Sequence, residues 1–167
     1  QNCLERGYGE AVTAEVWRQI ESFGNYAFAK GHSASYAVES YQSLYLKAYY
    51  PLEYLTATIN NGGGFYSVET YLNEIPLSGG KVEAPCINRS EMEAVLLDQQ
   101  VFLGFLMLKE LEEKTAVEIL RERHLNGVFQ SLNEFLERVA ISLEQTILLI
   151  RINAFRDLEE DKKKLLW

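Results

Sequence analysis

Lys30-Gly31-His32 is the segment of this chain whose residue types and spacing best suit chemistry on a phosphate. Gly31 permits an unusual backbone angle, and Ser33 or Ser35 can accept from the free N–H groups at a helix start, so a helix is expected to begin near Ser33. Free N–H groups, the positive end of a helix dipole and a cationic side chain together favour an anion at such a place. A capping or packing role for His32 and a solvated Lys30 is the plainer reading of the same residues. Metal-dependent chemistry finds little support. The aspartates are Asp98, Asp157 and Asp161, with no Asp-x-Asp pair, and Cys3, Cys86, His32 and His124 show no metal-ligand spacing. No catalytic residue and no metal ligand is assigned to this chain.

The helix that must position this turn is long and rich in tyrosine. Ala34, Ala37, Tyr41, Leu44 and Ala48 recur at spacings of three and four, and Glu39, Ser43 and Lys47 share another face. Before it, Val12, Val16, Ile20 and Phe23 form a helical stripe over Glu10 to Phe23, ended by Gly24-Asn25. After it, Pro51 opens a helix that runs to about Asn60, where Asn60-Asn61-Gly62-Gly63-Gly64 stops it. A shorter helix near Val68 to Ile75 leads through Gly79-Gly80 to a strand-like Lys81 to Pro85. Ala94 to Leu97 and Val101 to Leu103 then flank Asp98-Gln99-Gln100, which suits a small β-hairpin. Helices follow near Leu108–Arg123, Ser131–Arg138 and Leu143–Ile152, and the charged residues from Leu158 onward are expected to fray. The fold expected is mainly α, with a domain boundary near Ala84 separating residues 1–84 from 85–167.

Composition narrows the function. Nearly half of the 167 residues are apolar, enough for a packed core, and the net charge is −8. Residues 1–60 carry 4 basic and 6 acidic side chains, 61–100 carry 2 and 6, and 101–167 carry 10 and 12, so no segment is basic and any DNA contact must be local. Two cysteines are too few for a disulfide framework and suit a reducing compartment. No apolar run has the length to span a bilayer, and a membrane role is not expected. The chain opens on Gln1 rather than Met, inside what reads as a helix, and is expected to be a piece of something longer.

The segment from Phe28 to Pro51 resembles the fingers region of the bacterial DNA polymerase III alpha subunit, through Phe28, Lys30, His32, Tyr36, Ser40-Tyr41-Gln42, Leu46-Lys47-Ala48 and Tyr50-Pro51. The likeness continues through Ile87-Asn88-Arg89-Ser90, Asn126 to Phe135 and Leu149 to Phe155, a region that in the family forms a tandem helix-hairpin-helix module on duplex DNA. Ala29 and Gly31 depart from the family's usual Asn and Ser. A larger departure is Leu108-Lys109-Glu110-Leu111-Glu112-Glu113-Lys114, where glutamates at 110 and 112 replace both glycines of the first hairpin. Their charges would oppose a phosphate there.

The resemblance implies part of a DNA-directed DNA polymerase: a helical fingers subdomain, a small β-hairpin and the hairpin module. It places Lys30, His32 and Tyr36 at an incoming deoxynucleoside triphosphate, and Lys109 and Lys114 at DNA. It implies primer-template DNA, a sliding clamp and other replisome subunits as partners of a cytoplasmic parent, whose Mg2+ would be held outside this chain. No cofactor is expected here, and the chain alone is expected to be inactive. A different class fits the acidic composition too, a non-catalytic helical module that binds a protein. Gln130 to Phe135 looks like a short clamp-binding peptide, but its helical spacing reads as core packing. Lys162-Lys163-Lys164, after Glu159-Glu160-Asp161, reads as a solvated face.

Overall fold

The computed structural model describes residues 2–27 and 30–158, with side chains except at residues 2, 25–27 and 30. The chain divides into two compact units, residues 1–45 and 46–167. The first holds α1 (Asn2–Glu5), α2 (Glu10–Ala27) and most of α3 (Lys30–Tyr49). Gly24 does not end α2, since a glycine inside a helix costs only about 1 kcal/mol and leaves the hydrogen-bond ladder intact. Likewise α3 starts at Lys30, three residues before the expected cap, and Ser35 Oγ donates back to the Gly31 carbonyl at 3.0 Å. None of the described side chains of this unit is buried, and Val12, Val16, Ile20 and Phe23 are all exposed.

The second unit carries the described core. Pro51, with its fixed φ, opens α4 (Pro51–Asn60), and α5 (Val68–Leu77) tolerates Pro76 in its last turn. Three short strands follow, β1 (Lys81–Glu83), β2 (Val95–Leu97) and β3 (Gln100–Phe102). The expected hairpin is β2 and β3, turned by Asp98 at φ 55° and Gln99; β1 joins it by pairing parallel to β3. A single 3-10 turn (Phe105–Met107) precedes α6 (Glu113–Asn126), α7 (Leu132–Arg138) and α8 (Leu143–Arg151). Helices dominate.

Two apolar clusters hold this unit together. Leu55, Ile59, Ile75, Ala94 and Val101 pack α4 and α5 onto the sheet. A larger cluster gathers Ile87, Phe105, Leu111, Ile119, Phe129, Phe135, Leu149 and Phe155 from all three later helices and the loops between them. Each such side chain contributes roughly 1.5–3 kcal/mol by leaving water. The rings of Phe129, Phe135 and Phe155 meet edge to face in succession, each centroid 5.0 Å from the next.

Side-chain amides fasten loops and helices within each cluster. Asn60 Nδ2 donates to the Ala94 carbonyl at 2.8 Å while its Oδ1 accepts from the Ala94 N–H at 2.9 Å, tying α4 to the start of β2. Asn88 makes the same pair of bonds with Phe129, each 2.9 Å. Arg156 reaches back to the carbonyls of Ala84 and Pro85. The Asn60–Ala94 bonds, like the pairing of β1 with β3, bridge residues on either side of Ala84.

Candidate nucleic-acid interface

A helix-hairpin-helix presents backbone N–H groups from a tight turn, so the turn must be held from outside the helices it joins. The sequence suggests one continuous helix near Leu108–Arg123; the structure breaks it. Residues 108–112 are a turn, and α6 begins only at Glu113. Leu111 turns inward to the larger cluster, which pulls the backbone off the helical path. Phe105 and Leu106 donate to the carbonyls of Glu91 and Met92, anchoring the entry to the turn. Gly104 permits this, because a Cβ there would overlap the Glu93 backbone.

The decisive clamp comes from α8. Gln145 Nε2 donates to the Glu110 carbonyl and its Oε1 accepts from the Glu112 N–H, both at 2.8 Å, and the residue is only 9 % exposed. Glu110 and Glu112 both keep negative φ, so neither strains the turn. The hairpin frame therefore survives without its glycines. Its electrostatics do not: Glu112 pairs with Lys114 at 2.6 Å, and one N–H that could face a phosphate is already used by Gln145. Lys109 and Lys114 both sit at this turn and are exposed.

A second turn, Val139-Ala140-Ile141-Ser142, joins α7 to α8. Val139 is buried and Ile141 packs beside it, while Ser142 Oγ accepts from the Gln145 N–H at 3.3 Å to cap α8. Gln145 thus belongs to both turns. At the other end of α7, Ser131 Oγ accepts from the Glu134 N–H, and Glu134 Oε2 accepts from the Gln130 N–H at 2.9 Å. That backbone donor, followed by Arg138, holds the Glu134 carboxyl below the ordinary glutamate range. Phe135 is wholly buried and Leu132 packs beside it, so the apolar residues of Gln130 to Phe135 pack into the core.

Arg123 and Arg138 face the protein, whereas Arg151 is exposed. Arg138 lies over Phe129, 4.3 Å from the ring centroid, and donates to the carbonyls of Glu122 and Gly127 as well as to Glu134. Arg123 holds the carbonyls of Ile87 and Ser90 and pairs with Glu91. Arg89 pairs with Asp157 at 2.7 Å, and Arg121 with Glu118 at 2.6 Å. Cys86 is buried beside this network, and burial pushes its thiol up, out of the reactive range. Sequence alone pointed to none of Gln145, Asn88 or Arg138 as a fastener; Asn88 stood inside a quoted motif, but a lone Gln on a helix carries no signal of its distant partners.

In the first unit, Lys30 is the first residue of α3, and its side chain, like Phe28 and Ala29, lies outside the described residues. His32 and Tyr36, one turn apart and both exposed, meet edge to face at 4.4 Å between centroids. Lys47, from the other end of α3, pairs with Glu74 at 3.2 Å. The Lys162 to Lys164 run and its acidic neighbours also lie outside the described residues. Among the described residues no group of three or more His, Cys, Asp or Glu could hold a metal ion, and no helix is long and apolar enough to cross a membrane.

Residues 79–165 match a family model described as a helix-hairpin-helix motif, which spans both turns. The chain is 34 % identical over 140 residues to the DNA polymerase III subunit alpha of Thermus aquaticus, covering 83 % of this chain and 12 % of that protein. It is 34 % identical over 169 residues to an error-prone DNA polymerase of Vibrio parahaemolyticus, covering 98 % of this chain and 16 % of the relative. The DNA polymerase III subunit alpha of Borreliella burgdorferi is 30 % identical over 169 residues, covering 99 % of this chain and 15 % of its own length. The chain thus spans a small part of these relatives. By its matched hairpins and by this near-complete coverage, the chain belongs to the helix-hairpin-helix family and is homologous to one region of the DNA polymerase III alpha subunit and its error-prone relatives.

Proposed function

We propose that this chain serves as part of a DNA-directed DNA polymerase of the polymerase III alpha type. Residues 1–84 contribute the carboxy-terminal part of the fingers, and residues 85–167 form the hairpin module beside duplex DNA. The observation that carries this reading is the first hairpin, which keeps its turn through Gln145 in a chain aligned to such polymerases over nearly its whole length. In this reading Lys30 and His32 lie near the phosphates of the incoming deoxynucleoside triphosphate, with Tyr36 packed against His32 to fix the imidazole. In this reading nucleotidyl transfer and its Mg2+ belong to the rest of the polymerase, and no chemical step is assigned here. The sliding clamp and other replisome subunits would be partners of that whole polymerase.

The test is steady-state kinetics on the intact polymerase. Lys30→Ala and His32→Ala should each raise the KM for nucleotide by about 10–150-fold, the worth of one charge-assisted contact, with a smaller change in primer-template affinity. The 167-residue chain alone should extend no primer. Wild-type KM in both variants would remove the nucleotide role from this turn and leave it a helix start.

A further inference from the structure

The loop after α4 builds a cavity that the reading above leaves unused. Gly62 and Gly63 adopt φ of +80° and +86°, a Cβ at Gly63 would lie 2.9 Å from the Tyr66 carbonyl oxygen, and Gly64 closes onto the Tyr71 hydroxyl. The closure thrusts Phe65 into solvent, where it is 94 % exposed. Beside it opens a cavity of about 760 Å³ lined by Tyr50, Tyr54, Phe65 and Tyr71. Among the described residues that line it, Glu53 is the one that carries a charge. Thr58 and Asn61 donate instead to the carbonyls of Tyr54 and Ala57, within their own helix and its end.

We propose that this cavity is a docking site for an arginine-bearing segment of a protein partner. Aromatic faces attract a cation through their ring quadrupole, arginine most often, and a carboxylate beside them completes the recognition of a guanidinium. The apolar walls suit the aliphatic stem, and the volume exceeds one guanidinium, which favours a peptide segment over a free cation. Charge complementarity points the same way. Residues 46–80 carry one lysine against three glutamates, and that Lys47 is paired with Glu74, so a phosphate backbone would meet a repelling surface here.

The test is fluorescence anisotropy of the 167-residue chain with a labelled Gly-Ser-Arg-Gly-Ser-Arg-Gly-Ser peptide, the same peptide with citrulline for arginine, and a ten-residue oligothymidine. The arginine peptide should bind about tenfold more tightly than its neutral citrulline isostere, and more weakly as salt rises. Glu53→Gln and Phe65→Ala should each weaken it about fivefold, while Glu69→Gln, outside the cavity, should not. Both substituted side chains are exposed, so far-UV circular dichroism should match the wild type. Equal binding of the citrulline peptide, indifference to Glu53→Gln, or displacement of the peptide by oligothymidine would each overturn the proposal.

Discussion

Gln145 is the residue on which the hairpin geometry depends most directly. Its two bonds satisfy a carbonyl and an N–H that would otherwise be left without partners in a half-buried turn, and leaving such groups unmade costs about 1–3 kcal/mol each. Gln145→Leu, similar in volume but unable to bond, should therefore destabilise the chain by about 2–5 kcal/mol in urea unfolding. Gln145→Glu should fail as well, because it loses the donor to the Glu110 carbonyl. A loss under about 0.5 kcal/mol for both would mean that water satisfies the turn instead. Asn153 makes the contrasting point about residues. It sits after α8 at φ +62°, and sequence could place it inside the Leu149 to Phe155 likeness but not show that its conformation is left-handed.

At the scale of elements, each helix start and stop tests what local sequence can say. Pro51 to Asn60 and the Asp98 turn were legible because proline and tight-turn residues act locally. Gly24 and Leu108 to Glu112 were not. The first lies in a helix whose hydrogen-bond ladder runs through it, and the second is bent by Leu111 entering the core and by Gln145, a partner more than thirty residues away. The Ser131 and Glu134 cap gives a pH prediction. Because the folded Glu134 carboxyl titrates below its unfolded value, its stabilisation is fully present above the unfolded value and is lost as pH falls through the folded one. Wild type should thus lose more thermal stability between pH 5 and 3 than Glu134→Gln; parallel curves would deny the cap its role. The first hairpin gives another. Its frame is intact while its charge is wrong, so Glu110→Gly with Glu112→Gly should strengthen duplex binding at low salt, and the gain should shrink as salt rises. Anisotropy of a labelled duplex across a salt series measures this. Tight, salt-sensitive binding by the wild type, unchanged in the double variant, would show that the hairpin meets DNA by another route.

Across the whole molecule, packing is distributed very unevenly. The described residues of the first unit contribute no buried side chain, whereas the second contains both apolar clusters and the amide clamps within them. Opening free energy follows buried apolar contact, so the two units should unfold at different costs. Basic residues report this directly. Arg6 and Arg18 are exposed, with Arg18 paired at the surface to Glu15. Arg123 and Arg138 are largely covered and bonded to backbone carbonyls on neighbouring elements. Brief trypsin digestion of the full chain should therefore cut at Arg6 and Arg18 well before Arg123 or Arg138, leaving a product that retains residues 46–158. Hydrogen exchange should rank the same way, slowest at Ile119, Phe135 and Leu149, each fully buried, and fastest along α2. Early cleavage at Arg123 or Arg138, with α2 protected, would mean that the first unit carries stability its exposed side chains do not account for.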